Sequence, residues 1–174
     1  MCLIIFAHQA NDQYPLILSA NRDEVFGRKS REAQFWNGEV GCSNLLAGKD
    51  LQAGGTWIGV TLGGKFAAIT NLRSNSDDDP ALLSRGSLTL EYLIGKKSPR
   101  NFAKTITEHL SDYKGFNLLL GNRDEVVFMN SREKSILNIQ PGIYAFSNET
   151  LNSGYLKVTR GRDKLSKLLN SGTE

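Results

Sequence analysis

Cysteine, histidine and proline are all scarce, at 2, 2 and 4 in 174 residues. Two thiols do not make a disulfide framework in a chain long enough to build its own core, so the cysteines point to a reducing compartment. No Cys, His and Asp cluster has metal-ligand spacing, and the acidic run "SDDDP" lacks the rest of a calcium loop. No metal or other cofactor is therefore expected. Basic charge is thin as well. The net charge is +3, and "KSR", "GKK" and "TRGRDK" lie in separate segments, which reads as solvated surface and argues against nucleic acid. The longest apolar run near the start, residues 3–7, follows no basic residues and is too short for a signal core or a membrane span. A soluble, cytoplasmic protein with no membrane span is expected.

What is present is ordinary globular material, 40% hydrophobic and 22% charged. A chain of this length buries about 70% of its unfolded surface, and it is read as one domain over residues 1–174. "CLIIFA" and "LILSA" are apolar on both alternating faces and are joined by the turn cluster "NDQYP", which predicts an antiparallel hairpin. "TWIGVT", "LGG" and "KFAAITN" repeat the strand–turn–strand pattern. Helices are predicted within residues 87–94 and from Ser98, where Ser98 is an N-cap, Pro99 stands in the first turn, and Phe102, Ile106 and Leu110 make one apolar stripe. "FNLLLG", "EVVFMN", "KSILNI" and "IYAFSN" are further strands, and residues 159–169 begin a last helix. Hairpin-length links predict an α+β fold of antiparallel sheets. Strands apolar on both faces imply two sheets stacked on each other with helices outside, the helix at 98–110 among them.

Chemistry concentrates at few positions. Cys2 follows Met1, so removal of Met1 puts a thiol and a free α-amine on one residue, and an α-amine, with a pKa of about 7.7–8.0, serves as a base near neutral pH. The competing reading makes Cys2 a small apolar residue at a strand end. The tetrapeptide NRDE occurs twice, at 21–24 and 122–125. In the first copy Arg22 and Asp23 end the second strand, on the side where Cys2 begins the first, and are expected to be substantially buried beside it. They can orient a thiol, an amine or a substrate carboxylate, or merely form a surface ion pair. In the second copy Gly121-Asn122 is a hairpin-turn pair, which puts Arg123 and Asp124 in solvent. Asn71 and Asn148 each end a strand and are either oxyanion donors or strand caps. The glycine-rich stretch from Ala53 lacks the Gly-Lys-Ser/Thr ending of a phosphate loop. Trp36 and Trp57 are core or pocket lining, and His8 and His109 read as satisfied core-edge histidines.

"MCLIIFAH", "PLILSANRDE", "AGKDLQAGGTWIGVTLGGKFAAITNLR" and "GIYAFSNETLNSGYLKVTRGRDKL", in this order across nearly the whole chain, resemble the NRDE family, also named after the transport and Golgi organisation protein 2. The resemblance implies a branch of the N-terminal nucleophile hydrolases, with a four-layer αββα sandwich, cutting small non-peptide amides. It implies Cys2 as nucleophile, and Arg22 and Asp23 as the Arg and Asp that follow the first hairpin. Asn71 is implied as the Asn ending the later strand. Asn148 matches the Asn of a late motif, with Glu149 replacing its usual small residue. The late arginine of the similar bile-salt enzymes has no counterpart here. Retained, Met1 would block the Cys2 amine and plug the pocket. A second implied reading is a non-catalytic ligand-binding or trafficking factor, in secretory organisation and lipid or haem handling, with a ligand held near Trp36 and Trp57. Family members usually extend further, so a short chain is expected, with its last helix incompletely packed and an apolar patch or sheet edge left open.

Overall fold

The computed structural model describes residues 2–37, 39, 41–72 and 83–171. Met1 and the acidic run "SDDDP" lie outside the described residues. The chain divides into two compact units, one formed by the residues up to Glu24 and from Ile139 onward, the other by Val25–Asn138. Each carries one antiparallel sheet, and there are three α-helices among the described residues, so the predicted α+β class is met. None of these helices is long and apolar enough to cross a membrane.

In the first unit β1 (Leu3–His8) runs between β2 (Leu16–Asn21) and β10 (Gly142–Phe146). The predicted hairpin forms with Leu3 opposite Asn21 and His8 opposite Leu16, and the link closes through Gln9 N–H donating to Pro15 O at 2.8 Å. Alternation along β1 does what the sequence requires. Ile4 and Phe6 are fully buried, Phe6 stacks on Tyr144 with ring centroids 5.3 Å apart, and Leu3 and Ile5 face helix α3 (Leu156–Asn170). Helix α3 packs on β1 and β10. It comes that close because residue 161 is glycine: a Cβ there would lie 2.6 Å from Ile5 Cδ1. Val158 is the buried residue of α3, whereas Leu156 and Leu168 are 60% and 50% exposed. β2 and β10 are the sheet's edges.

In the second unit seven strands pair in the order β3-β4-β5-β6-β7-β8-β9. They are β3 (Ser30–Phe35), β4 (Leu45–Asp50), β5 (Ile58–Thr61), β6 (Phe66–Asn71), β7 (Phe116–Gly121), β8 (Val126–Asn130) and β9 (Ser135–Asn138). Helix α1 (Gly86–Ile94) lies on β4, β5 and β6, and α2 (Pro99–Thr107) lies on β8 and β9. Ile69, Leu118, Leu120, Val127 and Met129 on the sheet pack with Leu88, Tyr92, Leu93, Phe102 and Ile106 of the helices into one core. Ser98 caps α2 as predicted, its hydroxyl accepting from Asn101 N–H at 3.3 Å. The helix is shorter than the apolar stripe suggested: it stops at Thr107, and Leu110 falls in a separate 3-10 turn, Leu110–Asp112.

Two strands had no sequence signal. β3, "SREAQF", is mostly exposed and carries a bulge between Arg31 and Gln34, so it shows no apolar alternation. β4 buries only Leu45 and Ala47 fully, too few positions to register as a period. His109 is a further correction. Its side chain is 58% exposed at the C-terminal end of α2, with Nδ1 3.5 Å from Asp112, and is not a core-edge residue.

Candidate functional site at the head of the first strand

Cys2 stands one residue ahead of β1 and is 9% exposed. Strand pairing brings two chain ends to it. Leu3 pairs with Asn21, after which Arg22, Asp23 and Glu24 leave the sheet, and Ile4 pairs with Phe146, after which Ser147 and Asn148 follow. The Cys2 carbonyl accepts two side-chain hydrogen bonds, from Ser147 Oγ at 2.5 Å and from Lys157 Nζ at 3.0 Å. Ser147 is 1% exposed, and its hydroxyl also lies 3.1 Å from Asn148 Oδ1. Lys157 sits in the first turn of α3 and is close enough to Asp23 for the two charges to attract.

The first NRDE copy pairs internally. Asn21 Nδ2 donates to Asp23 Oδ1 at 2.9 Å, and Arg22 Nη2 meets Glu24 Oε2 at 2.6 Å. Arg22 is half-buried, but Asp23 is exposed, which corrects the expectation that both are substantially buried. The reason is position. β2 ends at Asn21, so Asp23 lies two residues past the last ladder partner, and a carboxylate kept in water avoids the cost of desolvation.

Asn71, Trp36 and Trp57 belong to the other unit. Asn71 ends β6 opposite Phe116 and is exposed. Trp36 is 1% exposed, donates Nε1–H to Ala47 O at 2.9 Å and has Lys49 Nζ 4.7 Å from its ring centre; Trp57 packs partly buried on the same core. That burial supports the core reading of both indoles. His8 is half-buried in β1, and burial holds its imidazole below the ordinary value against a backbone hydrogen bond with Pro15. Among the described residues no three or more His, Cys, Asp or Glu side chains gather as a metal site.

Sequence reasoning missed Ser147 and Lys157. Ser147 lies in the strand segment "IYAFSN", directly before Asn148, and no pattern sets its hydroxyl apart. For Lys157 a signal was available. A cation in the first turn of a helix opposes the helix dipole, and a side chain placed against that rule asks for another partner.

Residues 1–174 match the family described as Transport and Golgi organisation 2. The chain belongs to this family. The mouse Transport and Golgi organization 2 homolog is 31% identical over 175 residues, covering 93% of this chain and 62% of the mouse protein. The bovine homolog is 30% identical, covering 100% and 66%, and the Drosophila melanogaster Transport and Golgi organization protein 2 is 26% identical, covering 100% and 67%. The chain thus spans less than two thirds of the mouse and bovine proteins it matches. Among solved structures, penicillin V acylase from Agrobacterium tumefaciens aligns at a TM-score of 0.39 and 8% identity, over 85% of this chain and 44% of that one.

Proposed function

We propose that this Transport and Golgi organisation 2 family member is an N-terminal cysteine amidohydrolase acting on a small non-peptide amide. The observation that carries the reading is the hold on Cys2: Ser147 and Lys157 fix its carbonyl, and with it the Cα from which the thiol and, once Met1 is removed, the α-amine both project. In this reaction the Cys2 thiol passes its proton to the α-amine while sulfur attacks the amide carbonyl carbon. The C–N bond then breaks as the ammonium returns the proton to the leaving nitrogen. Water, deprotonated by the same amine, cleaves the thioester to a carboxylic acid and restores the thiol. Asp23 orients the amine, and Arg22 binds a substrate carboxylate or supports the thiolate. The Asn148 amide N–H donates to the developing oxyanion. Asn71 as a second oxyanion donor and the partly buried Trp57 as apolar substrate lining rest on the family resemblance and on residue type, and alanine substitution with kinetics decides each; Trp36, closed in the core, is left out of the lining.

A non-catalytic role in ligand handling or trafficking is the reading favoured by the relatives' names, which speak of transport and Golgi organization. One experiment separates the two. The N-terminus of the protein from its native host is read by mass spectrometry, and an unbiased metabolite screen for amide loss compares wild type with Cys2→Ala. Loss of Met1 with turnover that vanishes in Cys2→Ala is expected. A retained Met1, or metabolite profiles identical for the two proteins, sinks the amidohydrolase.

A further inference from the structure

The residue that carries the proposed nucleophile lies outside the sheet that should hold it. Ladder pairing of β1 begins at Leu3, so Cys2 has no strand partner of its own in either register. Terminal residues fray unless something ties them down, and a frayed nucleophile forfeits the fixed geometry that catalysis needs. Two side chains from distant parts of the chain converge on the one main-chain acceptor that Cys2 offers. Ser147 reaches it from just past β10 at 2.5 Å, and Lys157 from the first turn of α3 at 3.0 Å.

Both donors are placed against local preference. Ser147 is a hydroxyl with 1% exposure, and such a group is stable only when hydrogen-bonded. The amino end of α3 has no side-chain cap from Tyr155 and no acidic residue in its first turn. It carries a lysine there instead, the sign the helix dipole disfavours. The close seat of α3 on β1, which the missing Cβ of Gly161 permits, brings that lysine within reach of Cys2.

We infer that Ser147 and Lys157 are positioning residues, a two-donor clamp that holds Cys2 immobile ahead of β1. The inference deepens the amidohydrolase reading and rests on it for its purpose, but it is tested without turnover. The clamp acts through the Cys2 main chain and touches no substrate. It makes the thiol's shelter depend on a donor at position 157, not on the bulk of the side chain there.

The test is the rate at which N-ethylmaleimide modifies Cys2 in the folded chain, followed on the N-terminal peptide by mass spectrometry so that Cys42 does not contribute. Lys157→Met keeps the aliphatic stem and removes the donor. Cys2 is expected to react roughly tenfold faster in it, the consequence of losing one charge-assisted hydrogen bond. Lys157→Arg should return the rate to near that of wild type, and Ser147→Ala should raise it as Lys157→Met does. A Lys157→Met protein that folds and shelters Cys2 as well as wild type overturns the clamp, because packing alone would then suffice. Should Lys157→Met fail to fold, Ser147→Ala decides: faster modification supports the clamp, and an unchanged rate overturns it. A clamp effect in a protein that hydrolyses no amide would remove the amidohydrolase and leave the clamp standing. Turnover together with a Met variant that still protects Cys2 would do the reverse.

Discussion

The two copies of Asn-Arg-Asp-Glu have the same atoms and opposite uses. In the first, Asn21 donates: its Nδ2 binds the Asp23 carboxylate at 2.9 Å, Arg22 and Glu24 pair at 2.6 Å, and Asp23 keeps a charge that Lys157 attracts. In the second, Asn122 accepts. Its Oδ1 takes the backbone N–H groups of Asp124 and Glu125, each at 2.9 Å, while its own N–H donates to Glu125 O at 3.0 Å, closing the turn between β7 and β8. Arg123 and Asp124 stand in solvent as the turn pair predicted, but Glu125 is not idle. Its Oε1 accepts from Arg100 N–H at 3.3 Å, an anion at the amino end of α2. The lesson is that an amide side chain has a donor and an acceptor end, and the backbone around it selects which is used. In the turn the backbone offers N–H groups, so the oxygen is taken. Past the end of β2, the neighbouring carboxylate takes the nitrogen.

The sharpest way to break the comparison is catalytic. With an amide substrate in hand, Asp23→Asn is expected to lower turnover on the order of a hundredfold, whereas Asp124→Asn leaves it unchanged. Equal losses at the two positions would make the copies equivalent and end the assignment of a site to the first alone.

Next in size comes an ion pair that, unlike Arg22–Glu24, closes a long stretch of chain. Arg28 binds Asp50 through Nε at 2.8 Å and Nη2 at 2.6 Å, and Asp50 also accepts from the N–H groups of Gln52 and Ala53. Burial pushes the Asp50 carboxyl up, but the Arg28 hydrogen bonds and those backbone donors outweigh it and hold the carboxyl below its ordinary value. A carboxyl depressed in the folded state adds stability that is complete above the unfolded value, about pH 4, and is lost as the pH falls through the lower folded one. Asp50→Asn should therefore cost about 1.5 kcal/mol at pH 7, and the gap from wild type in urea unfolding should close as the pH drops below 4. A gap independent of pH would show that the charge contributes nothing.

Asn122→Ala removes the acceptor for two turn N–H groups and is expected to cost about 1 kcal/mol, while Asn21→Ala stays within about 0.5 kcal/mol. Urea midpoints compared side by side read the difference, and a reversal would mean that the first copy, not the second, is the structural one. A smaller effect than that of Asn122→Ala is expected at Glu125→Gln, about 0.5 kcal/mol from the lost charge at the amino end of α2. Added salt should shrink it, and an effect that salt leaves untouched would assign it to the hydrogen bond instead of the charge.

Much of this protein was legible along the chain because the signals were local. Apolar runs bounded by turn residues announced β1, β2 and β5 to β10, Ser98-Pro99 announced the start of α2, and Gly121-Asn122 announced a turn, since each depends on residues within a few positions of one another. The motif order identified the family without any contact being known. β3 and β4 stayed hidden because a half-exposed edge pair carries little periodic burial to read. Most of the site lay beyond reach for a different reason. Sequence pattern says which face of a strand is buried, but a hydrogen bond needs donor and acceptor within about 3 Å, and that distance is set by how elements pack. Ser147 and Lys157 meet the carbonyl of Cys2 across 145 and 155 residues of chain. That meeting was decided by the β1–β10 register and by the close seat of α3 at Gly161. The same limit put Asp23 in water: the sequence determined that a carboxylate follows β2, and the tertiary structure decided, by ending the ladder at Asn21, that nothing obliged it to be buried.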